Sequence, residues 1–155
     1  MADNTNYIDA LKRSLKKKIS LLAAIDLQNR RQRELLTEDD SDSDEFQATV
    51  DEKSRLIDEI EILDQGFDEV FSHVKEEMDK NKSLYKDDIS LMQEYIRQIM
   101  AKVSLIRTQE QENRDLLEKR IASVKSKTKT VRENRRMIDS YSKVMAGLDS
   151  MSTYY

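Results

Sequence analysis

The sequence predicts an all-α fold, an elongated antiparallel coiled coil or bundle of three long helices, and three observations carry that prediction. Charged residues make up 37% of the 155 residues, with no Pro and two Gly, so there is little to interrupt a helix. Apolar residues recur at spacings of three and four, and nowhere in the two-residue alternation of a half-buried strand. Finally, every seventh residue from Ile89 gives Ile89, Ile96, Val103, Glu110, Leu117, Val124, Val131, Ile138 and Met145, apolar at all positions but Glu110. A sustained seven-residue repeat keeps one helix face against a partner helix.

The first helix is expected over roughly 5–36, with Asn4 or Thr5 able to cap its first amides and Ile8, Leu11, Leu15, Ile19 and Leu22 on one face. Lys16, Lys17 and Lys18 read as a solvated face. Residues 37–43 contain no apolar side chain and are crowded with Asp and Ser, which favour turns over regular structure. Asp40, Asp42 and Asp44 alternate like the start of a calcium loop. Glu45 and Asp51 stand where such a loop needs Gly and Glu, so the stretch reads as an interhelical connection. The second helix, over roughly 44–80, places Phe46, Val50, Ile57, Ile60, Phe67, Val70, Val74 and Met78 on one side, with Leu56, Leu63 and Phe71 beside them. Ser83 can cap the third.

The third helix, over roughly 84–148, has two apolar columns only at its start. The companion column reads Met92, Ile99, Ile106, then Asn113, Arg120, Lys127, Asn134, and becomes apolar again at Tyr141 and Leu148. An unbroken helix of that length would run roughly 95 Å, so the third helix is expected either to overhang its partners as one helix or to break, with 108–113 as the place of the break. From 117 to 148 a single apolar column can lie against an incoming amphipathic helix, and thin packing leaves that part loosely held until a partner arrives.

Chemistry is sparse. His73 is the single histidine and there is no Cys, so neither a thiolate metal site nor a disulfide can form. No Gly-rich phosphate loop and no nucleophile–base pair occurs, and the expectation is a non-enzyme with no cofactor and no metal. No apolar run is long enough for a stable membrane insertion. Residues 38–80 carry a net charge of −13 and residues 119–136 a net of +7. The basic segment lacks aromatics for base stacking and faces an acidic neighbour, so nucleic acid is not the expected partner.

Two stretches carry a family resemblance. Val50-Asp-Glu-Lys-Ser-Arg-Leu-Ile-Asp-Glu-Ile-Glu-Ile-Leu-Asp-Gln65 resembles the Glu-Lys-x-x-Leu-Leu-x-x-Leu segment of FlgN-type flagellar export chaperones. Asn113-Arg-Asp-Leu-Leu-Glu-Lys-Arg-Ile121 resembles the Asn-x-x-Leu-Leu segment that opens that family's C-terminal helix. The resemblance implies a cytoplasmic chaperone that binds the C-terminal helical region of hook-associated proteins and delivers them to the flagellar type III export machinery. It also implies a cargo contact in the C-terminal helix. The matching positions begin at Leu117 and Ile121, and the apolar column extends them through Val124, Val131, Ile138, Tyr141 and Met145. The competing expectation is a structural coiled coil that self-associates, for instance as a homodimer, through the same stripe.

Overall fold

The computed structural model describes residues 2–38, 43–123, 138–139 and 142–148, with side chains from Thr5 onward. Three long helices account for most of them: α1 (Ala2–Thr37), α2 (Ser43–Lys80) and α3 (Lys86–Ser123). Each is about 55 Å long at 1.5 Å per residue, so the described helices match in length. Lys18 of α1 meets Asp64 of α2 while Gln32 meets Lys53, so α1 and α2 run antiparallel. Lys12 meets Asp88 and Leu35 meets Arg120, so α3 returns parallel to α1. Helix α1 packs against both others, and no Cα of α2 comes within 8 Å of one in α3. The backbones of α2 and α3 thus stand apart, and the two helices meet through side chains where they meet at all, as Lys53 and Glu110 do.

The three-and-four spacing translates directly into the core. Ile8, Leu11, Leu15, Leu22 and Ile25 of α1 join Leu56, Ile57, Ile60, Val74 and Met78 of α2 and Met92, Ile99, Val103 and Ile106 of α3 in one buried cluster. A smaller cluster of Leu35, Phe46, Val50 and Leu117, flanked by Leu36 and Ile121, closes the end where α1 hands over to α2.

The helix ends are satisfied in different ways. At the C-terminus of α1 the Thr37 hydroxyl bonds the Arg33 and Glu34 carbonyls, and the Arg120 guanidinium donates to the Leu35 and Glu38 carbonyls. A cation from α3 thus serves the orphan carbonyls and the negative end of the α1 dipole. Residues 81–85 form the α2–α3 turn, with the Asn81 amide bonded to the Glu77 carbonyl and the Asn81 carbonyl accepting from Leu84 and Tyr85. The first α3 amides look to Tyr85, not Ser83: the Ile89 amide bonds the Tyr85 carbonyl, with Asp87 and Asp88 in the first turn.

Two expectations about the third helix need correction. Helix α3 runs unbroken through 108–113, because Glu110 and Asn113 find polar partners inside the bundle and the seam does not end there. Nor is 84–148 one straight helix. Such a helix would carry Leu148 roughly 35–40 Å beyond Ser123. Instead Val144 and Leu148 are buried in the main core, Lys143 bonds Asp58 at 3.1 Å, and a Cβ on Gly147 would lie 3.0 Å from Ile57. The helical stretch 142–148 therefore sits beside the middle of α2. Its glycine permits the close approach, since the first side-chain carbon would crowd the Ile57 methyl.

Candidate partner-binding site

The interior of the bundle changes character along its length. Around Lys53 it is polar. Lys53 and Glu110 are 2% and 1% exposed and form an ion pair. Lys53 also donates to Gln32 at 2.9 Å. Beside them the Asn113 amide donates to the Asn29 carbonyl at 3.0 Å, and the Asn29 amide to Gln109 at 3.1 Å. A second buried pair, Lys18 with Asp64 at 2.8 Å, lies further along α1. Burial is the dominant influence on all four charged groups. It lowers the pKa of Lys18 and of Lys53 and raises that of Asp64 and of Glu110, each against the opposing pull of its partner. Lys18 thus departs from the solvated face expected of its run.

A buried pair of this kind adds little net stability over an apolar core, but breaking it by removing one partner costs several kcal/mol. The physical consequence is register. Lys53 on α2 can meet Glu110 on α3, and Asn113 can reach the Asn29 carbonyl on α1, in one alignment of the three helices. The two sequence segments that carried the family resemblance supply Lys53 and Asn113. Their polar residues meet inside this one layer.

Toward the 81–85 turn the interior is apolar and open. The gap between α2 and α3 forms a groove of about 710 Å³. Met78 and Met92 are buried in it, and Phe67, Phe71, Ile89 and Ile96 stand half-buried along it. Phe67 and Phe71, one turn apart, stack with ring centroids 5.9 Å apart. Lys75, Lys82 and Lys86 line the turn end together with Asp79, and Asp68 lines the other. The stretch 142–148 touches α2 at Ile57 and Asp58, ten residues or about 15 Å short of Phe67.

The residues expected to contact a partner fall into three groups. Leu117 is buried and Ile121 half-buried in the small cluster of Leu35, Phe46 and Val50, so both pack inside the chain itself. Met145 is half-buried against the main core and Ile138 is half-exposed. Val124, Val131 and Tyr141 lie outside the described residues, as do Asp40 and Asp42 of the acidic loop. The structure does not gather the seven positions into one described surface. Sequence reasoning did not single out Val144 or Gly147 as the residues that seat 142–148, nor the groove walls as a surface distinct from the core. The signal for the groove was present: Phe67 and Phe71, like Ile89 and Ile96, lie one or two turns apart on helices that α1 alone cannot cover.

Among the described residues no group of His, Asp and Glu could hold a metal ion, and no helix is long and apolar enough to cross a membrane. A helical bundle with a helix-wide apolar groove is suited to holding another helix. Residues 1–143 match the FlgN protein family, and the chain belongs to that family of flagellar export chaperones. No curated protein and no solved structure matches it.

Proposed function

We propose that this protein is a cytoplasmic export chaperone that binds the C-terminal helical region of hook-associated proteins and delivers them to the flagellar type III export machinery. The observation that carries this reading is the family match over residues 1–143. The proposed cargo contact is the C-terminal segment that includes Leu117, Ile121, Val124, Val131, Ile138, Tyr141 and Met145. Within it, Leu117 and Ile121 pack in the small cluster and join the segment to the bundle, and in the sequence the apolar column goes on at Val124 and Val131. Titrating the full chain with the C-terminal fragment of a hook-associated protein should give a stoichiometric complex, and Val131→Asp should abolish it while leaving the melting temperature nearly unchanged. A complex untouched by Val131→Asp would remove the C-terminal column from the contact.

A second reading, self-association as a coiled-coil scaffold, is favoured by one feature. Leu84 of the 81–85 turn and Leu91 and Leu105 of α3 are exposed at multiples of seven residues, with Gln98 at the position between the last two. Such a column is the kind of apolar stripe that pairs with another copy. Sedimentation across a concentration series separates the readings. A monomer without cargo favours the chaperone, and a tight, concentration-independent oligomer favours the scaffold.

A further inference from the structure

Beside Ile57 and Asp58 the stretch 142–148 packs on α2, and from Phe67 to the 81–85 turn the groove between α2 and α3 is open among the described residues. We propose that the open part receives one amphipathic helix of the exported cargo, about three turns long, with its N-terminal turn at the 81–85 end. This rests on the chaperone reading above and adds a second contact to it, on α2 and α3.

Length, surface and charge each point to that occupant. Phe67 and Met78 stand eleven residues apart on α2, roughly 16 Å, which three helical turns would fill. The lining offers two methionines and two aromatics. Methionine side chains reshape to fit different apolar faces, as a binder of more than one sequence requires. A helix seated here completes a four-helix cross-section, with its apolar face on Phe67, Phe71, Ile89 and Ile96.

The charges define its direction. Lys75, Lys82 and Lys86 at the turn end outnumber Asp79, and none of the three has an ion-pair or hydrogen-bond partner among the described residues. Asp68 stands at the opposite end of the groove. A helix stabilised by its own dipole carries acids in its first turn and bases in its last. Such a helix matches this charge arrangement when its N-terminus lies at the 81–85 turn, and opposes it when reversed.

The test uses the full chain and the C-terminal fragment of a hook-associated protein. A photo-crosslinking residue is placed in the groove as Phe71→benzoylphenylalanine. Affinity is measured for Phe71→Ser and, separately, for Lys82→Glu combined with Lys86→Glu. The lysines are groove-rim residues outside the buried core, so their reversal keeps the test valid if Phe71→Ser lowers stability. Crosslinks to the cargo fragment are expected. The double reversal should weaken binding about tenfold at low salt, and less as salt rises. Replacing first-turn acids of the cargo helix with Lys should restore it. Crosslinks to a second copy and none to the cargo fragment would overturn the proposal. So would affinity unchanged in both variants, which would leave the chaperone reading standing with its contact elsewhere. No complex with the unaltered chain would contradict the chaperone reading itself and withdraw the groove's occupant with it.

Discussion

At the end where α1 hands over to α2, the space between the helices is closed twice, by the Lys53–Glu110 layer and by the Leu35, Phe46, Val50 and Leu117 cluster. At the 81–85 end the corresponding space is lined by Phe67, Phe71, Ile89 and Ile96 and stands open. Both ends are built from helices of the same length and the same three-and-four spacing. The difference lies in what fills the seam. Polar residues that must be paired define one alignment at the closed end. Apolar residues that need only be covered leave the open end able to accept another helix. On the proposal above, specificity within the chain and adaptability toward a partner fall to opposite ends of the bundle.

The largest expected effect breaks the closed end. Lys53→Met leaves the Glu110 carboxylate buried without its cation, and should cost about 3–5 kcal/mol of folding stability. Adding Glu110→Leu should recover most of that loss, which a denaturant-melt double-mutant cycle would read. If Lys53→Met alone were harmless, the layer would not hold the register.

Leu117→Ala comes next. Truncating a leucine in a packed cluster costs about 2–5 kcal/mol, so the variant should unfold at clearly lower denaturant even without cargo. Loss of cargo binding with no change in stability would instead assign Leu117 wholly to the cargo surface.

A smaller effect concerns pH. The Glu110 carboxyl has its pKa raised above the ordinary 4.5 by burial. Between the unfolded value and that raised value the folded state holds more protons than the unfolded one. The contribution of Glu110 to stability is therefore greatest below about 4.5 and falls as pH rises through the raised value. Lys53 acts in the opposite sense higher on the scale: its lowered pKa makes stability rise with pH between that value and 10.5. Melts of the parent chain and Glu110→Gln from pH 4 upward should differ by the slope that Glu110 supplies. Parallel curves would mean that Glu110 titrates as it does in the unfolded chain.

The apolar half of this architecture was legible in the sequence because periodicity reports which face is buried. Leu15, Leu22, Ile57, Ile60, Ile99 and Ile106 all lie in the core where spacing puts them. The polar half was not, because a charge run normally marks a solvated face. Yet three consecutive residues span about 200° of a helix, and Lys18 falls between Leu15 and Leu22 at spacings of three and four. Lys53 falls likewise between Val50 and Ile57, and Glu110 stands in the heptad between Val103 and Leu117. A charged residue inside an apolar column was the available sign of a buried partner. What that partner was, and whether the column broke or continued, depended on another helix and could not be read from one column. The return of 142–148 to the side of Ile57 was equally hidden, since Val144 lies off the seven-residue column and Gly147 has no side chain to register in it.

Amide hydrogen exchange on the full chain, with and without the cargo fragment, tests most directly whether the closed end holds the fold and the open end takes the partner. In the free protein, exchange should be slowest across 50–60 and 99–117 and faster along the groove walls at 67–78 and 89–96. Adding cargo should slow the groove walls and leave the closed end unchanged. Groove walls as protected as the closed end in the free protein, with no further slowing when cargo binds, would contradict the account.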